Sequence, residues 1–398
     1  MRMFKETGVE WIGEIPQDWQ VAQVRYLFNI GRGRVIAQTE LVDDGMYPVF
    51  SSQTKNNGCL GYINTYDYEC EQLTWTTDGA NAGTVFLRKG RHNCTNVCGT
   101  LMAMKDNICL RYQKYALEHI AFYHKRLDTN GFKIMNNEMA AIKTMLPSMD
   151  EQERIANYLD SKCYRIDSII EKQQAVIEKL KEYKLSVMNE VVANSKGIKC
   201  YLSNIGNFKN GLNFISGNTT VVKFLGVGDF KDYYILNKKE MFSDIMLDGF
   251  VTDDYLLQNN DFVFVRSNGS KDIVGRCVMV KNINFPLTYS GFCIRFRNNR
   301  EDIALNEYLL LIFRSPFFRE QIEKYSRGSN INKLNQAILS EIPICLPPKH
   351  EQEKIVNDIT IKFKKIANVL ERKKDIVEKL IEYKKSLIYE VVTGKKEV

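Results

Sequence analysis

The chain has 398 residues, 44% of them apolar and 11% aromatic, which supports two or three domains with packed cores and excludes a disordered polypeptide. A formal charge of +7, from 55 basic and 48 acidic side chains, is compatible with a nucleic-acid partner and excludes a strong polycation. By segment the net charge is +1 over residues 1–146, −1 over 147–197, +3 over 198–345 and +4 over 346–398, so no part is a basic arm.

The opening MRMFKETGVEWIGEIPQDW has no apolar core of the kind a secretory signal carries. The longest aliphatic run, near residues 309–313, is too short to span a bilayer, so no membrane partner is expected. Ten cysteines (Cys59, Cys70, Cys94, Cys98, Cys109, Cys163, Cys200, Cys277, Cys293 and Cys345) are scattered without a CxxC pair, which suits reduced thiols and a cytoplasmic location. Only His92, Cys94 and Cys98 cluster; with no second pair they read as ordinary strand residues, and no metal site is expected.

Residues 11–145 read as an α/β domain. Leu27 and Ile30 lead into GRGR (Gly31 to Arg34), read as a basic glycine turn, and short strands follow near 47–50 and 73–76. Residues 76–83 form a turn of small and polar side chains before an apolar strand at 84–87. Past Arg88 and Arg91 come a strand near 97–104, a helix around 113–126 and the loop 128–131, which leads through Lys133 to Pro147.

From Pro147 the pattern changes to one long helix of roughly 44 residues, about 66 Å. Pro147 can precede a helix but not continue inside it, and Ser148 with Glu151 makes a capping-box pair. Apolar residues recur in sevens: Leu159, Ile166, Leu180 and Val187 at one seam position, Ile155, Ile169, Val176 and Tyr183 at the other.

Residues 198–345 repeat the first plan with little identity. Lys209, Asn210 and Gly211 form the glycine turn, 261–265 a strand, and Arg266 to Lys271 the polar turn. A strand at 275–280, helices at 305–313 and 317–325 and the loop 327–333 complete it.

The long helix then returns. When residue n is set against n + 200, 21 of the 52 positions from 146 to 197 are identical. Ile359, Ile366, Leu380 and Leu387, with Ile355, Val369, Ile376 and Tyr383, repeat both seam positions. Lys162 and Lys362, and Gln173 and Lys373, interrupt them at matching heights. The stripe also takes in Ile170, Ile177, Leu370 and Val377, wider than a two-position seam needs, so each helix is expected to pack on more than its twin. Such helices cannot bury the stripe alone. Antiparallel pairing of the two copies is the economical solution, with the preceding domains at opposite ends of a rod; a solvated helix or filament segment would leave the duplication unexplained.

The order is therefore domain, helix, domain, helix, with scaffold shared and domains diverged. No catalytic constellation accompanies it. The phosphate-loop pattern is absent, since Gly206 and Gly211 are followed by Leu212, and none of the four histidines flanks a plausible nucleophile. His119 and His124 are five apart and read as packing residues. Glu178, Glu182 and Lys184 recur as Glu378, Glu382 and Lys384 and read as i,i+4 pairs on a solvated face.

The polar turns read as candidate base contacts. Thr77, Asp78, Asn81, Ser267, Asn268 and Asn330 carry short donors and acceptors of the kind that meet base edges. Arg88, Arg91, Lys133, Arg266, Lys271, Arg276, Arg327 and Lys333 are candidates to hold phosphates or guanines.

The most specific local features are LPxxxEQExI at 146–155 and 346–355, EVVTGK at 390–395, GVEWIGEIPQDW at 8–19 and TWTTDGANAGTVF at 74–86. With the twice-repeated domain and helix, they resemble the DNA-specificity subunit of type I restriction-modification systems over essentially the whole chain. The resemblance implies an α+β architecture: two α/β target-recognition domains (1–146 and 198–345) in a pseudo-two-fold arrangement, joined by two long antiparallel coiled-coil spacer helices (147–197 and 346–398). It implies a non-catalytic subunit that reads a bipartite, asymmetric site on double-stranded DNA. The helices would act as a ruler and dock two methyltransferase subunits, and through them restriction and translocase subunits. S-adenosylmethionine would bind those partners, and no cofactor is expected here, in keeping with the absence of an NPPY-type motif. The second domain lacks a copy of WIGEIPQDW, which leaves its first strand undefined. The rival reading from another class is a coiled-coil scaffold or adaptor without DNA readout.

Overall fold

The structure, a computed structural model, describes residues 2–129, 131–213, 217, 219–270, 272–325 and 334–398. Contacts divide the chain into two compact units: residues 1–174 with 374–398, and residues 175–373.

In the first unit a four-stranded antiparallel sheet runs in the order Phe28–Arg32, Cys98–Ala103, Gln72–Thr76, Val85–Arg88. The GRGR segment is thus not a turn at its start: Gly31 and Arg32 lie inside a strand, opposite Thr100 and Gly99. Glycine at 99 is required, because a Cβ there would lie 2.1 Å from the ring of Trp75, which is wholly buried and donates its indole N–H to the Ile134 carbonyl at 3.0 Å. A second, mixed sheet orders Cys59–Ile63, Tyr47–Phe50, Arg91–Cys94 and Tyr68–Glu69. Helices α1 (Leu110–His124) and α2 (Asn136–Ala141) pack on the first of these sheets, and Gln20–Gln23 pairs with Lys143–Leu146.

Helix α3 (Met149–Asn194) then runs uninterrupted for 46 residues. Ser148 Oγ accepts from the Glu151 amide at 3.4 Å, but the Glu151 carboxylate turns to the buried Trp19 indole (2.8 Å) and Arg2 (2.7 Å). Half of the expected capping box is therefore made, and the other half goes to tertiary structure.

The second unit repeats the sheet order. Gly206–Asn210, Cys293–Asn298, Phe262–Val265 and Cys277–Val280 are antiparallel neighbours, with Ile235–Leu236 added in parallel at the edge. Lys209 and Asn210 lie in the first of these strands and not in a turn. A three-stranded sheet joins Ser243–Leu247, Thr220–Leu225 and Leu287–Tyr289. The first strand, undefined by sequence, is Ile198–Tyr201, paired with Pro343–Leu346 as Gln20–Gln23 is paired in the first unit. Helices α4 (Asn306–Arg314), α5 (Pro316–Tyr325) and α6 (Gln336–Ser340) precede α7 (Lys349–Val392). The core is aromatic: Phe313 meets Phe262 at 5.0 Å and Phe296 at 5.7 Å, both edge to face.

One device fixes both long helices to their domains. Gln152 is fully buried; its Oε1 accepts from the Cys109 amide (2.9 Å) and its Nε2 donates to Asn107 O and Pro147 O (both 3.0 Å). Gln352, equally buried, accepts from the Leu305 amide (2.8 Å) and donates to Ile303 O and Pro347 O (both 2.7 Å). The duplicated glutamine of the EQE triplet thus satisfies backbone groups at each helix entry, of which Cys109 N–H and the Pro147 and Pro347 carbonyls are bonded in the interior.

Candidate nucleic-acid interface

The pairing of the long helices decides which of their faces remain open. In the first unit the start of α3 (Ile155, Leu159, Cys163, Ile166) and the end of α7 (Leu387, Val391, Val392) share one core, with Ile170 and Leu380 against it. Asp167 accepts from Lys384 Nζ at 2.7 Å, and the Tyr112 hydroxyl donates to Val392 O at 3.1 Å. In the second unit the end of α3 (Met188, Val191) meets the start of α7 (Ile355, Ile359, Phe363), with Lys184 Nζ 4.8 Å from the Phe363 ring. Start meets end in both units, so the helices pair antiparallel.

Of the two expected seam positions, one is at least half-buried throughout: Leu159, Ile166, Leu180 and Val187, with Ile359, Ile366, Leu380 and Leu387. The other is corrected. Ile155 and Ile355 are covered, but Ile169, Val176 and Tyr183 are exposed, as are Val369, Ile376 and Tyr383; the two tyrosines are 54% and 55% exposed. Their place is taken one residue later, by Cys163, Ile170, Ile177 and Val191 and by Phe363, Leu370, Val377 and Val391. Both flanks of the broad stripe are apolar, so the packed neighbours choose the buried flank.

In the first unit the polar turn is closely bonded. Gly83 N donates to Thr76 O (2.9 Å), Thr84 N to Asn81 O (3.1 Å), and the buried Thr77 donates its hydroxyl to Asp78 (2.5 Å). The turn docks on the hairpin Arg126–Asp128/Gly131–Lys133: Asp78 bridges Lys133 in the backbone, and Gly79 N donates to Phe132 O at 2.9 Å. Asp78 lies 3.7 Å from Arg32 and 3.8 Å from Lys133, while Lys133 pairs with Asp128 at 3.1 Å. The Thr129 amide and then Lys133 hold the Asp128 carboxyl down to about 2. Asn81 is exposed and its amide reaches Ser52 O at 3.4 Å, tying the turn to residues 51–58. Arg91 is exposed and paired with Glu69 at 2.9 Å, which raises its pKa.

Arg88 is the clear departure. It is 1% exposed, so its guanidinium cannot reach a phosphate; burial pulls its pKa down to about 10. Its Nε donates to Thr74 Oγ1 (3.1 Å), its Nη1 to Asn57 O (2.6 Å), and it stacks 3.6 Å from the Phe50 ring centroid. An arginine at a strand end carries no sequence signal that distinguishes this inward course from an outward one.

In the second unit Arg266 is half-buried, with Nη1 3.4 Å from Gly291 O, and Ser267 follows at the strand's end. Asn268 Oδ1 accepts from Ser270 N at 2.9 Å. Arg276 donates to Lys231 O at 2.6 Å, with Asp232 4.0 Å away. Lys271, Arg327, Asn330 and Lys333 lie outside the described residues. Sequence reasoning missed Arg297, paired bidentate at 2.7 Å with the buried Asp261, and the Gln152 and Gln352 staples, whose signal was the identity of EQE in both copies.

Among the described residues no three His, Cys, Asp or Glu side chains converge on a metal position. His92 accepts from Gln72 Nε2 (2.9 Å) and donates from Nδ1 to Gly90 O (2.8 Å). Nor is any described helix long and apolar enough to cross a membrane.

Comparison with known proteins agrees with this plan. A putative type I specificity subunit N-terminus from Mycoplasma pneumoniae is 40% identical over 140 residues, 35% of this chain and 75% of that protein. The type I restriction enzyme StySPI specificity subunit of Salmonella potsdam is 27% identical over 287 residues, 65% of this chain and 61% of that protein. For most of the relatives matched, the aligned stretch spans less than two-thirds of their own length. A solved chain from a type I R-M system superposes with a TM-score of 0.71 over 96% of this chain and 99% of its own, at 13% identity, which establishes a common fold. The family model of the type I restriction modification DNA specificity domain matches twice, over residues 16–179 and 192–379. The chain is therefore a member of the type I restriction-modification DNA specificity family.

Proposed function

We propose that this chain is the non-catalytic specificity subunit of a cytoplasmic type I restriction-modification complex. Residues 1–146 and 198–345 are its target-recognition domains, each reading one part of a split, asymmetric site on double-stranded DNA. The observation that carries this is the combination of a shared order of four antiparallel strands and matching glutamine staples with unlike polar turns in the two units. Shared scaffold with divergent turns suits two readers of different sequences.

The spacer helices, 147–197 and 346–398, set the unread interval, one to two turns of duplex at about 34 Å per turn. Their exposed apolar flanks at Ile169, Val176 and Tyr183 and at Val369, Ile376 and Tyr383 are suited to helices of two methyltransferase subunits, which bring in the restriction and translocase subunits. Adenine methylation and S-adenosylmethionine binding belong to those partners. With a net charge of only +7, the isolated chain holds random duplex weakly and salt-dependently, and the partners supply much of the clamp.

One observation favours the adaptor reading: Arg91, Lys133 and Arg276 are each next to a carboxylate of their own unit. Methylome sequencing of cells expressing this chain with methyltransferase subunits of its system decides between them. DNA reading yields a two-part motif that disappears when this chain is omitted and its partners are paired with another specificity chain; an adaptor yields a motif that stays the same.

A further inference from the structure

Residues 51–58 (SSQTKNNG) were not among the sequence candidates, yet their placement in the first unit is distinctive. Thr54, Lys55, Asn56 and Asn57 are exposed, and the segment contains no acidic residue. Asn56, Asn57 and Gly58 all have left-handed backbones, with φ of 49°, 53° and 78°. Two consecutive non-glycine residues in that region hold only where the surroundings over-determine them.

Arg88 provides the surroundings. Its Nη1 holds the Asn57 carbonyl at 2.6 Å, its Nε is fixed by Thr74, and its plane lies between Phe50 and Phe86, at 3.6 and 4.3 Å from their centroids. A Cβ on Gly58 would come within 2.8 Å of Nη2, so only glycine lets the loop close on the guanidinium. Nη2 itself is buried with no hydrogen-bond partner among the described residues, and neither group that Arg88 does bond, Thr74 Oγ1 or Asn57 O, is a carboxylate. A positive charge with no carboxylate partner among the described residues therefore sits directly beneath an amide-rich, acid-free loop, a combination that attracts an anionic ligand and presents side chains able to pair with base edges. The neighbouring Asn81, whose amide reaches Ser52 O, joins this loop to the polar turn in one surface. The second unit uses the same hold at another loop: Arg276 Nη1 donates to the carbonyl of Lys231, whose φ is 38°.

We propose that the loop 51–58 is a base-reading element of the first recognition domain, with Asn56 and Asn57 as specificity-determining residues and Arg88 as the positioning residue that fixes their geometry. The proposal rests on the DNA-reading function given above and names where in residues 1–146 the reading is done. Asparagine amides pair with adenine N6 and N7 in the major groove, which makes an adenine in the half-site the expected partner.

The test is methylome sequencing of cells expressing the full chain with its methyltransferase partners. Asn56→Gly and Asn57→Gly keep the left-handed backbone and remove the amide. They are expected to raise methylation of sites with another base at one or two positions of one half-site, by about five- to 150-fold, with the other half unchanged. Arg88→Lys is expected to relax the same positions; a merely structural arginine would lower methylation at all sites alike and leave the motif intact. An unchanged motif in both glycine variants overturns the proposal, whatever Arg88→Lys does to folding. Replacement of residues 1–146 by a foreign domain, run in parallel, separates the two failures. If replacement alters one half-site and the glycine variants alter nothing, the loop assignment falls alone; if replacement alters nothing, the DNA-reading function falls with it.

Discussion

Replacing Gln152 by alanine isolates the device that seats the first spacer helix on its domain. The side chain is fully buried and bonds three backbone groups, Cys109 N–H, Asn107 C=O and Pro147 C=O, at 2.9 to 3.0 Å. Two of these groups, Cys109 N–H and Pro147 C=O, are bonded in the interior, whereas Asn107 is exposed; at about 1–3 kcal/mol for each buried polar group stripped of its partner, these two and the cavity left behind set a loss of about 3 kcal/mol. For a unit of about 200 residues that lowers the thermal midpoint by about 6–12 °C. Exchange of the Cys109 amide would quicken by about two orders of magnitude, since each 1.4 kcal/mol is tenfold. Gln352→Ala makes the same prediction for the second unit, read at the Leu305 amide, because its three bonds are the same ones. Differential scanning calorimetry with hydrogen exchange measures both. A loss under about 1 kcal/mol in both variants, with amide protection unchanged, would refute the staple.

Inserting four residues near Gln173, roughly one helical turn or 5.4 Å, lengthens the unread interval or abolishes methylation, and leaves both half-site sequences unchanged; methylome sequencing reads the outcome. Val176→Asp with Val369→Asp places charge on exposed flanks outside the antiparallel seam, so it is expected to block co-purification of methyltransferase subunits while circular dichroism and melting stay close to the parent. Acid should act on the first unit. Burial lowers the pKa of His92, His119 and His124, all in that unit, so between their folded values and 6.5 the unfolded chain binds more protons than the folded one. The stabilisation is complete above pH 6.5 and is lost as pH falls, an effect partly offset by Glu118, which burial raises. Urea melts at pH 7 and pH 5.5, followed by amide exchange, should show the first unit weakening more, and less so in His119→Gln.

Much of this architecture was legible from periodicity and repetition. The strands at Gln72–Thr76 and Phe262–Val265 and both long helices stand where apolar runs, proline and the duplicated EQE put them. Local pattern failed where tertiary packing decides. The stripe around Ile169 and Ile170 is apolar on both flanks, so a seven-residue period could not say that Ile170 is covered and Ile169 open. The strand Cys59–Ile63 is broken by a glycine and belongs to a small mixed sheet whose pairing with Tyr47–Phe50 includes a register shift, a weak signal in one dimension. Arg88 was expected to meet phosphate on residue type alone; of its neighbours only Phe86 shares its strand, while Phe50 comes from another strand and Asn57 from a distant loop, and only the fold brings these two to it.

The central claim is that each recognition domain reads its own part of one split site. Exchanging residues 1–146 for the corresponding domain of a related chain, and sequencing the methylome with the partner methyltransferases present, tests it most directly. The account predicts a motif in which one half is replaced while the other half and the interval between them are preserved. A motif unchanged by the exchange, or altered in both halves, contradicts it.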